Sequence, residues 1–221
     1  MTRNLEAPPE SLVVNEIFHS IQGEATHAGV PCVFVRLTAC DLRCRWCDTE
    51  YAFHEGTSLP IPEILARVAA FDCPLVEVTG GEPLLQRHTP GLVRALLDQG
   101  HEVLIETGGH LDIGGLDPRA RVILDLKCPG SGEVAANRWK NLDHLAPKDA
   151  IKFVIADRPD YDWASDTVRR LGLQRKAPVF FSPVHAELDP AQLAAWILAD
   201  RLPVRLQLQI HKVLWGERRG V

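Results

Sequence analysis

CVFVRLTACDLRCRWCDTE, residues 32–50, is the stretch from which the rest of the chain can be read. It opens as an apolar, β-branched strand interrupted only by Arg36, then delivers Cys40, Cys44 and Cys47 in the spacing C-x3-C-x2-C. Thiolates are the ligands that hold iron–sulfur clusters. Three is the informative number, because a cubane has four irons and three protein ligands leave one iron open to a chelating small molecule. A closed zinc site wants four ligands. No fourth cysteine follows at the usual spacing, but His54 could supply one, so a zinc-stabilised binding protein without catalysis stands as an alternative.

Outward from this stretch, short β-branched runs recur: VVNEIF at 13–18, LVEVT at 75–79, EVLIET at 102–107, VILDL at 122–126, IKFVI at 151–155, PVFF at 178–181 and VRLQLQI at 204–210. Several are too apolar for a strand with one wet face, as expected of a parallel sheet covered on both sides. Helical patterns lie between many of them. PIPEILARVAAF has apolar positions at helical spacing; Thr89-Pro90 reads as an N-cap with proline in the first turn, and Gly100 as the stop. Asp189-Pro190 opens QLAAWILAD in the same way. The alternation predicts an α/β fold with a mostly parallel sheet. Residues 128–149 break it; a loop that long in a compact domain reads as a functional lid, the alternative being a short helix around 135–145.

The 221 residues carry no internal repeat or low-complexity linker and are expected to form a single domain, 1–221. A net charge of −5 argues against nucleic-acid binding, which needs a cationic surface. No apolar run is long enough for a bilayer, and MTRNLEAPPE lacks the pattern of a secretion signal. Of six cysteines, three are clustered and Cys32, Cys73 and Cys128 are scattered, a pattern of a reduced cytoplasmic protein with a metal site rather than of a disulfide scaffold. The scattered three read as small buried apolar residues.

Trp46, an aromatic immediately before the third cysteine, makes CDLRCRWC resemble the radical S-adenosylmethionine (SAM) superfamily. Thr79-Gly80-Gly81-Glu82-Pro83 resembles that superfamily's second landmark, a glycine-rich strand end where backbone can approach a ligand closely. Glu106 in IETGG ends the next strand and is expected to face the same rim, toward SAM or substrate. Four further stretches resemble the 7-carboxy-7-deazaguanine synthases: EIFHSIQGE at 16–24, VFVRLTAC at 33–40, CDTE at 47–50 and the closing HKVLWGERRGV.

The resemblance implies a reduced, partial (β/α) barrel, a 4Fe-4S cluster on the three cysteines, SAM and Mg²⁺. It also implies a lyase reaction that turns 6-carboxy-5,6,7,8-tetrahydropterin into 7-carboxy-7-deazaguanine in queuosine biosynthesis. A homodimer and an electron donor such as flavodoxin or ferredoxin come with it. Residue by residue, it points to Arg36, Glu106 and Lys127 as catalytic. Trp46, Cys47, Asp48, Gly81, Glu82, Asp125, Lys127 and Ser182 would bind cofactor. Ile21, Gln22, Gly23, Arg36 and Thr79 would bind substrate, and Thr49 would bind Mg²⁺. Each needs weighing against its ordinary reading. Arg36 inside a strand needs an anion, and its fork matches a carboxylate, but Glu16 or Glu24 could be that anion. Thr49 after Asp48 would otherwise be a cap or turn.

Two departures limit the match: Asp125-Leu126-Lys127 stands where some relatives carry Ser-Pro-Lys, and Ser182-Pro183-Val184-His185 replaces a Gln-Pro-containing stretch. The tail after His211-Lys212 is also longer, which leaves a role for Val221 open. A radical SAM activase that installs a glycyl radical on a partner protein would share the cysteines and TGGEP, but not SIQGE.

Overall fold

In the computed structural model, which describes residues 10–216 and 218–221, the apolar runs form one open sheet of nine strands. Along the chain come β1 (Ser11–Ile21), β2 (Pro31–Leu37), β3 (Thr57–Pro60), α1 (Ile61–Ala69), β4 (Leu75–Gly80), α2 (Thr89–Asp98) and β5 (Glu102–Thr107). Then follow β6 (Arg121–Asp125), β7 (Ala150–Ile155), α3 (Arg158–Leu171), β8 (Val179–Pro183), α4 (Pro190–Ala199), β9 (Arg205–Leu206) and α5 (Ile210–Trp215). The spatial order is β3-β1-β2-β4-β5-β6-β7-β8-β9. Every pairing from β2 to β9 is parallel, and β1 runs antiparallel to both of its neighbours. The order never returns on itself, so the barrel is partial, with β3 and β9 as its edges.

Alternation along the strands divides the side chains between two cores. On β2, Val33, Val35 and Leu37 enter the outer core, where they meet helix residues such as Ile64, Val68, Leu92 and Leu96. Cys32 and Phe34 point the other way and join Leu75, Leu104, Ile123, Ala150 and Phe180 in a smaller apolar cluster. That cluster is the floor of the barrel interior. Toward the carboxyl ends of the strands the same inner face turns polar, carrying Arg36, Glu77, Glu106, Asp125, Lys152 and Ser182.

Helix ends follow their sequence signals with one exception. Asp189 accepts from Ala191 N at 3.0 Å and Asp157 from Asp160 N at 3.0 Å, relieving amides that have no partner within the helix. Thr89 is not a cap: it is the first residue of α2, and its hydroxyl donates to the Pro83 carbonyl at 2.5 Å.

Four other expectations need correction. VVNEIF extends to an eleven-residue strand, and the strand expected at 122–126 occupies Arg121–Asp125. VRLQLQI pairs only over Arg205–Leu206; Gln207 N adds one bond to the Phe181 carbonyl at 2.9 Å, the Gln207 and Gln209 side chains bond Glu24, and the chain then enters α5. Residues 128–149 contain no α-helix at 135–145 but three single 3-10 turns, Pro129–Ser131, Val134–Ala136 and Trp139–Asp143. The N-terminal segment 1–9 lies outside the described residues.

The 128–149 segment is anchored at two asparagines. Asn137 accepts from Lys127 N and donates to Lys127 O, each at 2.9 Å, which ties the segment to the end of β6. Fully buried Asn141 donates to the Gly109 and Leu111 carbonyls at 3.0 and 2.7 Å and accepts from Ile113 N at 3.4 Å. Replacing Asn141 by Ala takes the side-chain donor from the Leu111 carbonyl, leaves Gly109 O with Arg138 N alone at 3.3 Å, and strands Ile113 N, which should cost about 1–3 kcal/mol. Urea denaturation measures it; an unmoved midpoint would show that the segment is not fastened in this way.

Candidate active site

The polar half of the inner face opens into a cavity of about 580 Å³. Cys40, Cys44 and Cys47 line it on a loop whose backbone is held from several directions. Ala39, at a left-handed φ of 81°, donates to the Ala52 carbonyl at 2.8 Å and accepts from Glu82 N at 2.7 Å. Arg45 N donates to Ser131 O at 3.0 Å and Arg43 N to Glu133 at 2.6 Å, so the 128–149 segment braces the loop. The Arg43 guanidinium donates to the Cys40 and Leu42 carbonyls at 2.8 and 2.7 Å.

All three thiols are free and half-buried. Burial pushes Cys40 up to about 11 and moves Cys44 and Cys47 upward too. Bound iron reverses that preference, since coordinating thiols deprotonate. His54 is not among the cavity-lining residues. Three soft donors along one cavity wall, with no fourth cysteine beside them among the described lining residues, fit an iron–sulfur cluster that keeps one iron open.

The glycine turn after β4 is pressed against this loop. A Cβ on Gly81 would strike the Ala39 carbonyl oxygen and the Cys40 Cβ, and Gly80 adopts a φ of 152°. Glu82 is fully buried and accepts from Leu84 N at 2.9 Å, Thr107 Oγ1 at 2.9 Å and Gly108 N at 2.8 Å. Its carboxylate thereby clamps the glycine turn to the end of β5. Burial raises its pKa despite those bonds. Thr107, which supplies the clamp, carried no signal in the sequence.

Arg36 reaches the cavity from β2. Its Nε donates to Glu16 at 2.7 Å, so the internal ion pair weighed from sequence is present. Tyr51 also donates to Glu16, at 2.9 Å. Its ring lies between two guanidiniums, Arg36 at 5.8 Å and Arg219 of the C-terminal tail at 3.7 Å. Val221, like Arg219, lines the cavity.

The far wall holds a connected charge network. Lys152, on β7 and nearly buried, donates to Glu24 at 2.8 Å and to Glu106, and lies 3.8 Å from Asp125. Lys127 donates to Asp125 at 2.9 Å. Gln207 and Gln209 each donate to Glu24 at 2.9 Å. Burial works to raise Glu24, but Lys152 brings it below the ordinary carboxylate value. For Glu106 burial prevails and the pKa rises. Glu77 rises much further, through burial and then its neighbours Glu106 and Glu24. Asp48 is brought down to about 2 against the effect of burial, chiefly by Lys212 at 3.2 Å, and accepts from the Thr49 hydroxyl at 2.9 Å.

Most residues singled out from sequence meet in this one cavity. Trp46, Asp48, Thr49, Gly81 and Glu82 line it beside the cysteines. Ile21, Gln22, Thr79, Glu106, Asp125, Lys127 and Ser182 line the remaining wall. Gly23 does not; it packs against the His211 ring, with no room for a Cβ. The groups expected on Gln22 for a ligand are engaged internally. Its amide donates to Glu77 and accepts from Glu24 N at 2.9 Å, while its backbone pairs with Val30 and Gly29. Glu77 and Lys152 were missed, since a lone charged letter in a strand does not announce which face it occupies; Gln207 carried no signal, and Glu24, weighed as a partner for Arg36, pairs with Lys152 instead.

Residues 35–131 match the model of the radical SAM superfamily. The chain is 49% identical over 220 residues to a 7-carboxy-7-deazaguanine synthase of Chlorobaculum tepidum, covering 98% of this chain and 99% of that one. It is 46% identical to the enzyme of that name from Koribacter versatilis, covering 94% and 99%, and 38% identical to that from Thermoplasma acidophilum, covering 95% and 100%. The crystal structure of QueE from Escherichia coli has the same fold, with a TM-score of 0.75 at 21% identity, covering 90% of this chain and 94% of that one.

The contact of Gly81 with the cysteine loop has a measurable consequence. Gly81→Ala should lower the iron retained per chain after anaerobic reconstitution by at least about half, because the methyl forces Ala39 and Cys40 to shift. Gly115→Ala, where nothing lies within 4 Å of the new Cβ, serves as the control. Equal iron in both variants would show that the close packing does not position the thiols.

Proposed function

Since the chain belongs to the 7-carboxy-7-deazaguanine synthase family of radical SAM enzymes, we propose that this cavity converts 6-carboxy-5,6,7,8-tetrahydropterin to 7-carboxy-7-deazaguanine, with loss of ammonia. The chain is thus a radical SAM lyase of the pathway to queuosine. The observation that carries the reading is one cavity lined by three free thiols, a glycine turn, a guanidinium and a ring of buried carboxylates. The activase and zinc-binding alternatives offer no use for that combination.

Cys40, Cys44 and Cys47 would hold the 4Fe-4S cluster, and the turn from Thr79 to Glu82, packed against their loop, would bind SAM beside it. When bound, cluster and SAM together supply the 5′-deoxyadenosyl radical that begins the reaction. The chain's own task is to place the pterin and exclude water. Arg36 gives its Nε to Glu16, which fixes the guanidinium plane and leaves the terminal N–H groups for the substrate carboxylate. Glu24 and Glu106 present acceptor oxygens, matching the N–H edge of a pyrimidinone ring. The Thr49 hydroxyl, beside Asp48, suits a Mg²⁺ ion that takes its other ligands from substrate and water. Trp46, Asp125, Lys127 and Ser182 face the SAM side, and Asp125 Oδ1 is buried without a protein partner, ready to accept from a ligand.

The reading extends to a low-potential donor, flavodoxin or ferredoxin, to a homodimer and to the cytoplasm. No helix of the described residues is long and apolar enough to cross a membrane.

Anaerobic incubation with reductant, SAM, Mg²⁺ and the carboxytetrahydropterin should yield the deazaguanine, detected by mass. Reductive SAM cleavage without that product would reject the substrate while keeping the superfamily. Arg36→Ala should raise KM about 10–100-fold, the worth of a charge-assisted carboxylate contact, with iron content unchanged. A parental KM in the variant would remove Arg36 from the carboxylate site.

A further inference from the structure

Lys152 has no place in the chemistry described so far, yet more of the buried charge converges on it than on any other cation in the cavity wall. It sits mid-sheet on β7, with Asp125 of β6 and Phe180 of β8 as its register partners. Its strand neighbours Ile151 and Phe153 enter the outer core. Below it, Ala150 and Phe180 belong to the apolar floor. The side chain therefore has no route to bulk water except through the cavity. An ammonium has three donors and no acceptor. Here two go to Glu24 and Glu106, and the Asp125 carboxylate lies 3.8 Å away.

The two carboxylates depend on Lys152 to different degrees. Glu24 is also held by Gln207 at 2.9 Å and Gln209 at 2.9 Å, so its plane is fixed from the β9 side. For Glu106 the Lys152 ammonium is the one hydrogen-bond donor found among the described residues. Glu77 stands close by on β4, bonded by the Gln22 amide. Without the ammonium, acidic groups from four strands or their ends would share one enclosed volume. Like charges there cannot all stay ionised, and a carboxyl that takes up a proton becomes a donor where an acceptor is needed.

We infer that Lys152 is a positioning residue: its ammonium, shared between Glu24 and Glu106, sets the spacing and charge of the two acceptors that receive the N–H edge of the substrate ring. This rests on the pterin reading above. The lysine does not touch the substrate. It acts through Glu106 most of all, and its removal affects pterin recognition rather than the cluster or SAM.

The test uses the reconstituted holoenzyme and 6-carboxypterin, a redox-inert analogue, with binding followed by fluorescence and SAM binding and iron content measured in parallel. Lys152→Met should weaken carboxypterin binding about 100-fold while SAM affinity and iron per chain stay at parental values, and Lys152→Arg should recover about tenfold of that loss. In a Glu106→Gln background the same Lys152→Met change should cost no more than about tenfold, because one of its two clients is already gone. Should the single variant fail to fold, the charge-balanced pair decides: Glu106→Gln/Lys152→Met should still bind carboxypterin more weakly than Glu106→Gln.

Parental affinity in Lys152→Met, equal affinity in the charge-balanced pair, or a matching fall in SAM affinity and iron content overturns the positioning role. A parental enzyme that does not bind carboxypterin at all overturns the functional reading beneath it, a distinct result.

Discussion

Charge held inside a sheet is the constraint on which this molecule turns. The inner face of the strands has an apolar floor of Cys32, Leu75, Leu104, Ile123, Ala150 and Phe180, and above it a polar layer largely removed from solvent. An isolated carboxylate in such a place costs several kcal/mol, so each buried acid must be paired, hydrogen-bonded or neutral. The first two solutions are both present, and burial presses one carboxyl toward the third. Glu24 is paired with Lys152, Glu82 is clamped by Thr107 and two backbone amides, and Glu77 has its pKa driven upward by burial and by its acidic neighbours. The cavity stays open because its walls bond one another.

The same constraint explains what the sequence disclosed and what it withheld. The cysteine triplet and TGGEP were legible because their meaning is local: spacing fixes the ligand set, and glycine is needed where backbone meets backbone, as Gly81 meets Ala39. The apolar runs gave seven of the nine strands to within a few residues. Thr57–Pro60 went unnoticed because four residues beside a proline carry almost no periodic signal. The strand expected over 204–210 is two residues long, because the chain leaves the sheet after Gln207 N bonds Phe181 O and coils into α5, a departure that alternation of letters does not announce.

Glu77 and Lys152 show the deeper limit. In LVEVT and IKFVI a single charge among apolar residues has the same appearance whether it faces water, a helix or a cavity. Register decides, and register is set by strands far away in the chain: Lys152 meets Glu24 across 128 residues. Periodicity can say that one face differs from the other; it cannot say that the different face is enclosed. The anchoring of 128–149 was hidden for a related reason. Asn137 and Asn141 look like loop residues, and only the carbonyls they meet, at Lys127, Gly109 and Leu111, turn them into fastenings.

Those fastenings also join the two halves of the site. The 128–149 segment reaches Arg45 N through Ser131 O and Arg43 N through Glu133, so the loop bearing the cysteines leans on a segment that itself hangs from the end of β6. On the opposite rim, Tyr51 sits between Arg36 of β2 and Arg219 of the tail, and its hydroxyl shares Glu16 with Arg36. A guanidinium over an aromatic ring is worth about 0.5–1 kcal/mol at an exposed site and more when desolvated. The tail is thus held at this rim by that contact together with an ion pair from Arg219 to Glu55 at 3.5 Å. Arg36 and the tail's Arg219 therefore meet the same ring at the rim of the cavity.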